Sequence, residues 1–324
     1  MIDAKLSADL STARGNLAVI FPGQGSQVGG MGRQLIQNYP AAQLRLEEFS
    51  NAVDVDLNNV LSGDFVTNDP VWVHLAMVSF GIIAWEWLTQ VAGYEPDMVA
   101  GHSLGEITAL SCAGVVDPVT AIRLAQQRGL LISEACKESQ GGMKAFVGAP
   151  LADICALFNQ WKESFTTAMP VWEANYNGPE QLVIAGELNT IQVFEEGLSS
   201  TGISAVTLAT AGAFHTPFMN TAAEKLAAFA ESITFHPAHI PLISSLTGRH
   251  LTSSQGLGVH LALQLVSPVL WLPAMQCMQR AQITKLIEVI PQGGGLSQLA
   301  ASCKDWPVTT TRICDLFEES SSVS

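Results

Sequence analysis

The chain reads as an α/β protein: a parallel sheet flanked by helices, with a small ferredoxin-like unit inserted into the larger one. Three observations predict this. Apolar strand candidates run into Gly-rich turns and then into helix candidates, the order that builds a parallel sheet. Between about residue 138 and residue 208 the texture shifts to a βαββαβ-like order, the ferredoxin-like pattern. The 324 residues are 48% hydrophobic and 14% charged, enough to core one large unit and a smaller one, and too apolar for disorder.

The elements follow in order. Residues 17–21, LAVIF, are all apolar and end at Pro22 and Gly23, which predicts a buried strand. A helix is expected near Met31–Asn38. Residues 71–91 have helical length and an apolar face, and 97–100 are a short strand running into GHSLG. Helices are expected over 105–114 and 117–136. In the inserted unit, 143–149, 181–187 and 203–209 read as strands, and 152–163 and 189–200 as helices. A helix over 219–232 returns the chain to the main body, and the polar tail EESSSVS is expected to fray. The larger unit is assigned 1–137 with 209–324, and the smaller 138–208. No repeat at solenoid periods is present.

The net charge is −14, from 29 acidic and 15 basic residues. A nucleic-acid partner would favour a basic chain and is not expected. An acidic protein partner would need a local Lys/Arg patch working against the overall field. The six cysteines form no C-x-x-C pair, which removes zinc ribbons and thioredoxin motifs and suits a reducing compartment; no metal site is expected. The first sixteen residues lack an apolar signal core. The apolar run Val71 to Trp85 is interrupted by His74 and is read as too short to cross a bilayer. The expectation is a cytoplasmic protein without a membrane partner.

The strongest chemical signal is Gly101-His102-Ser103-Leu104-Gly105. A sharp strand-to-helix turn needs small residues on both sides of a serine. It lifts the hydroxyl clear and aims it at a helix N-terminus, whose N–H groups can hold an oxyanion. A chance G-x-S-x-G in a Gly-rich chain is the bland alternative, and the strand–helix context favours a nucleophile. Such a serine needs a base. Of seven histidines, His102 is a poor candidate, because adjacent side chains on a tight turn diverge. His215, in GAFHTPFM between a strand and a helix candidate, stands among the remainder, and spacing alone does not select it.

Phe21-Pro22-Gly23-Gln24-Gly25-Ser26-Gln27 fails the dinucleotide fingerprint at Val28 and lacks the Gly-Lys of a P-loop. It is a tight turn with exposed backbone donors: a second oxyanion donor or merely a turn. Arg128 lies on an expected helix among apolar neighbours, with Arg123 the nearby alternative. A helical arginine is usually solvated; a buried one wants a carboxylate, which its planar fork binds bidentately.

Taken together, FPGQGSQ, GHSLGE, QQRG, GGMKAFVG, NYNGPEQLVIAG, GAFHTPFM and QLVSPVLW resemble, in order and over nearly the whole chain, the malonyl-CoA:acyl carrier protein transacylases and the acyltransferase domains of polyketide synthases. The resemblance implies an α/β-hydrolase-like large subdomain with a ferredoxin-like insert and an active site between them. It implies Ser103 as nucleophile and His215 as general base. The backbone N–H groups of Gln24 and Leu104 would form the oxyanion hole. Arg128 would grip the free carboxylate of malonyl, and the Gln264 main-chain carbonyl would orient the histidine. Asn175, Asn177, Phe214 and His102 are implied to line the substrate pocket.

The implied reaction moves a malonyl-type unit from coenzyme A, a substrate thioester rather than a cofactor, to the phosphopantetheine thiol of an acyl carrier protein. It would act in trans for a fatty-acid or polyketide synthase. Leu104 and the GAFH around His215 resemble malonyl-type rather than methylmalonyl-type signatures. Two departures bear on the acyl pocket. Trp72-Val73-His74 stands where relatives often carry a Gln-Pro pair, and Glu288-Val289-Ile290-Pro291-Gln292 where they usually carry EVGPG. Two rivals remain: a proofreading hydrolase using the same serine and histidine, and a non-catalytic carrier-docking module.

Overall fold

Ten strands are present among the described residues, which are 16–64, 67–138 and 141–321 of a computed structural model. They are β1 Leu17–Phe21, β2 Met98–Gly101, β3 Gly141–Val147, β4 Val171–Gly178, β5 Gln181–Glu187, β6 Ser204–Thr207, β7 Leu242–Ser244, β8 Arg249–His250, β9 Lys285–Glu288 and β10 Thr309–Arg312. The expected signal-free segment at the N-terminus lies outside the described residues.

The large sheet runs β10-β9-β1-β2-β7-β8. It is parallel through β7, while β8 pairs antiparallel with β7 at the edge. β1 sits between β2 and β9: the chain builds from it through β2, β7 and β8 on one side, then crosses back to add β9 and β10 on the other. In open α/β sheets such a switch point opens a crevice at the carboxyl ends of the strands. Here those ends carry the Pro22–Gly23–Gln24 turn after β1 and the His102–Ser103 turn after β2.

Alternation along the central strands divides the core. Val19, Phe21 and Val99 face one cluster, and Ala18, Ile20, Met98 and Ala100 face the other. The first cluster is built on helices Pro70–Gln90 and Pro118–Glu138. Asp69 caps the former by accepting the Val71 N–H at 2.9 Å, with Pro70 in the first turn, a favoured start. This helix of 21 residues is longer than the apolar run suggested, and by length and composition it is long and apolar enough to cross a membrane. Its most apolar stretch is 89% buried, so protein covers the surface that lipid would otherwise cover. Gly129 allows the two helices to touch: a Cβ there would lie 2.7 Å from Val71 Cα.

The small sheet runs β4-β5-β3-β6, antiparallel throughout. Helices Leu151–Glu163 and Leu188–Gly197 complete the ferredoxin-like order. Phe146, Ile154, Phe158 and Phe194 pack the helix side of this sheet; Met143, Ala145, Val183 and Ala185 meet Ala213, Phe214 and Phe218 on the other. The small sheet is tied by main chain to the segment around Val269 in the larger unit. Tyr176 N–H donates to Val269 O at 2.9 Å and Val269 N–H to Ala174 O at 2.8 Å.

The α/β architecture with its ferredoxin-like insert is therefore present. Two details differ from the sequence reading. β8 makes the large sheet mixed at one edge. The tail does not fray at Glu318: helix Ile313–Ser321 includes it, and the last three residues lie outside the described set.

Candidate active site

The turn after β2 explains the Gly-x-Ser-x-Gly spacing. A Cβ on Gly101 would sit 2.1 Å from the Gly105 carbonyl carbon, and one on Gly105 would sit 2.1 Å from Phe21 O. Neither site admits a side chain. Ser103 has φ 50°, a left-handed conformation that costs a non-glycine residue about 1–2 kcal/mol. The turn thus projects its hydroxyl over the N-terminus of helix Gly105–Cys112.

Ser103 Oγ lies 2.9 Å from His215 Nε2. His215 follows the small unit, also has a positive φ of 62°, and is buried. Its Nδ1 is 2.8 Å from the Gln264 main-chain oxygen. A carbonyl only accepts, so the proton is on Nδ1, and Nε2 is free to accept from the serine hydroxyl. Burial first, and then the Arg128 guanidinium, push this imidazole down to about 3. It is neutral at pH 7, the state a base requires.

Arg128 is 4% exposed. Its Nη2 donates to Ser103 Oγ at 3.2 Å and its Nη1 points to His74 Nε2 at 3.1 Å, while Nε has no partner. No carboxylate contacts it among the described residues. Burial lowers it to about 10, opposed by the Glu106 charge, so it remains a cation. Arg123, the alternative, is exposed and reaches only Ala52 O at 3.4 Å.

The turn after β1 lies against the serine turn: a Cβ on Gly23 would be 2.8 Å from His102 O and 3.7 Å from Ser103 Cβ. The backbone N–H groups of Gln24 and Leu104 have no acceptor among the described residues. They are open donors, one in the turn packed against the serine turn and one in the residue that follows the serine.

His102 Nε2 is 2.9 Å from Asn177 Oδ1, and its ring packs edge-on against Trp271. The Asn175 amide nitrogen lies 3.4 Å from the same Nε2, and its Oδ1 is buried without a partner. Both asparagines belong to β4, so this cluster bridges the two sheets. Phe214 is half-buried between their cores. A cleft of about 450 Å³ opens here, lined among others by Gln24, His102, Asn177, Gln181 and Gln298.

Hydrogen bonds connect Ser103 with His215 and Arg128 and, through His215, with Gln264, and His102 with Asn175 and Asn177, whereas Arg123 lies apart on the surface. Three others were not among the residues given a role. His74, inside an apolar helix, looked like an interruption; its Nδ1 meets Ala125 O at 3.3 Å and its Nε2 meets Arg128. Burial and then Arg128 hold it well below its ordinary value, so it stays neutral and accepts from the guanidinium. Buried Glu106 pairs with the partly exposed His260 behind Gln264. The Glu of GHSLGE was visible as a motif letter, whereas His260 carried no signal.

Comparison with known proteins places this geometry. A family model for the acyl transferase domain matches residues 19–293. The malonyl CoA-acyl carrier protein transacylase of Escherichia coli strain K12 is 32% identical over 277 residues, covering 85% of this chain and 88% of that one. The solved malonyl-CoA:acyl carrier protein transacylase of Xanthomonas oryzae superposes with a TM-score of 0.86 at 30% identity, covering 96% of this chain and 98% of that one. A solved complex of a type II PKS acyl-carrier protein with its malonyl-transacylase gives a TM-score of 0.84 at 28% identity, covering 94% and 99%. The chain belongs to the acyl transferase domain family, among the malonyl-CoA:acyl carrier protein transacylases.

Proposed function

We propose that this protein transfers a malonyl unit from coenzyme A to the phosphopantetheine thiol of an acyl carrier protein through a malonyl-serine ester. One observation carries the choice of acyl group: a buried guanidinium without a carboxylate partner, 3.2 Å from the candidate nucleophile. A desolvated cation is costly unless an anion meets it, and the free carboxylate of malonyl supplies that anion at the fork of Arg128.

The steps follow from the hydrogen bonds. Ser103 gives its proton to His215 Nε2 as Oγ attacks the thioester carbonyl. Arg128, donating to Oγ, stabilises charge on that oxygen. The N–H groups of Gln24 and Leu104 receive the oxyanion, each worth about 3 kcal/mol by analogy with measured oxyanion holes. His215 returns its proton to the departing coenzyme A sulfur. The carrier thiol then gives its proton to His215 and attacks the ester, and Ser103 recovers the proton as it leaves. The Gln264 carbonyl takes the place of a triad carboxylate in holding Nδ1–H.

Asn175, Asn177 and His102 provide polar groups beside the cleft. No cofactor is needed for an exchange between two thioesters. The reading extends to a cytoplasmic role in fatty-acid or polyketide assembly, supported by six unpaired cysteines and by the likeness to the carrier-bound malonyl-transacylase.

The test is to incubate the protein with labelled malonyl-CoA, with and without a carrier protein, and weigh the products. A malonyl adduct that passes to the carrier, and is absent from Ser103→Ala, is expected. Rapid release of free malonate would instead mark a hydrolase, and an adduct on Ser103→Ala would mark another nucleophile.

A further inference from the structure

Glu106 has no part in the steps above, yet it is wholly buried in the first turn of helix Gly105–Cys112, directly behind the serine turn. Its Oε2 accepts from the Ser245 N–H at 2.9 Å, the Ser245 hydroxyl at 2.6 Å and the Gln264 side-chain amide at 2.9 Å. Its Oε1 meets His260 Nε2 at 2.8 Å. A main-chain N–H and an amide NH2 can only donate, and the Ser245 hydroxyl and His260 Nε2 can each donate as well, so four donors can surround the carboxylate. It is an anion, held below the usual carboxylate range: burial pushes it up, and the bonds to His260 and Ser245 outweigh that.

The same Gln264 that gives its amide to Glu106 gives its main-chain carbonyl to His215 Nδ1. Its Oε1 is buried and unpartnered, so the amide is fixed by the Glu106–Ser245 side alone. The groups facing His215 are Ser103, Arg128, His102, this carbonyl and the Ser267 main chain; no carboxylate contacts the ring among the described residues. Among the described residues, the anion connected to the Ser103–His215 pair by hydrogen bonds is Glu106, through Gln264, one residue removed.

We propose that Glu106 and His260 are positioning residues for the Ser103–His215 pair, acting through the two ends of Gln264: Glu106 holds its amide while its carbonyl holds the imidazole. His260 is the donor that completes the Glu106 shell from the protein edge, where its side chain is 13% exposed. The inference rests on the malonyl-transfer reading for its readout.

The test compares wild-type protein with Glu106→Gln, which keeps shape and removes charge, and Gln264→Leu, which keeps the carbonyl and removes the amide. His260→Leu and His260→Gln form a second pair, the latter retaining a donor. Each is measured for the rate of malonyl-enzyme formation per labelled active site, for KM toward malonyl-CoA, and for the downfield proton resonance of His215 Nδ1–H. Glu106→Gln and Gln264→Leu are expected to lose about 10-fold to 100-fold in rate, by analogy with the loss when outer partners of a metal-ligating histidine are removed. KM should change little and the resonance should move. His260→Leu should show the same signature in weaker form, with His260→Gln restoring it toward wild type. If Glu106→Gln does not fold, the His260 pair decides. Folded variants with wild-type rate per active site and an unmoved resonance overturn the proposal and leave the network purely structural. A wild-type protein that forms no malonyl adduct would instead overturn the functional reading.

Discussion

Ser103 and His215 both hold positive φ angles, 50° and 62°, in a chain with only two other such non-glycine residues among those described, Asp54 and Gln282. Backbone strain of this kind persists where the surroundings over-determine it and gathers at functional sites. The serine was legible because its constraint is local: two glycines whose absent Cβ atoms make room for one turn. The histidine was not, since its partner lies 112 residues away and only the resemblance selected it. Arg128 was legible as a candidate by its apolar neighbours, but nothing local indicated that His74, 54 residues earlier, would hold its Nη1. That contact makes a prediction. His74→Leu removes the acceptor and should lower malonyl loading about 10-fold, whereas His74→Gln should recover most of it. Loading rates of the two variants check this, and equal rates would show that the acceptor is immaterial.

At the scale of elements, short strands explain most of what the sequence concealed. β7, β8 and β10 have two to four residues, too few for a period of two to register, and β4, VWEANYNG, mixes polar and apolar on both faces. The long buried helices and β1 were readable because apolar runs of that length have few other uses. The contact of helix Pro118–Glu138 with helix Pro70–Gln90 is what delivers Arg128 to His74, and it depends on Gly129. Gly129→Ala would drive a Cβ to 2.7 Å from Val71 Cα. The expected result is a loss of about 1–3 kcal/mol in unfolding free energy, the usual cost of overpacking, together with weaker malonyl selectivity from a displaced guanidinium. Urea unfolding and competition between malonyl-CoA and acetyl-CoA measure the two effects. Gly105→Ala, with backbone at 2.1 Å, should cost more and abolish adduct formation.

For the whole molecule, the site exists because β1 is a switch point and because β4 is tied by main chain to Val269, bringing the small sheet over the carboxyl ends of the large one. Burying so many polar groups there has a consequence in acid. His74, His102 and His215 at the site, and the partly buried His250 in edge strand β8, are held below 6.5 by burial. Below that pH the unfolded chain binds protons that the folded chain refuses, so stability is full above about pH 6.5 and falls as pH drops. Glu106, Asp117 and Asp315 are held below their ordinary values. Their contribution is full above about pH 4.5 and is lost as pH falls further, so it acts in the same direction. Urea midpoints should decline steadily from about pH 7 to about pH 5; a flat profile would mean that these imidazoles are not buried neutral.

The central claim is that a guanidinium at position 128 selects a dicarboxylic acyl group for the hydroxyl at position 103. The most direct measurement is the ratio of malonyl-enzyme to acetyl-enzyme formed from an equimolar mixture of the two thioesters, in wild-type protein and in Arg128→Ala. The unpaired cation should disfavour acetyl by about 2–4 kcal/mol, so wild type should form malonyl-enzyme almost exclusively and the variant should lose most of that preference. A ratio unchanged by Arg128→Ala would contradict it.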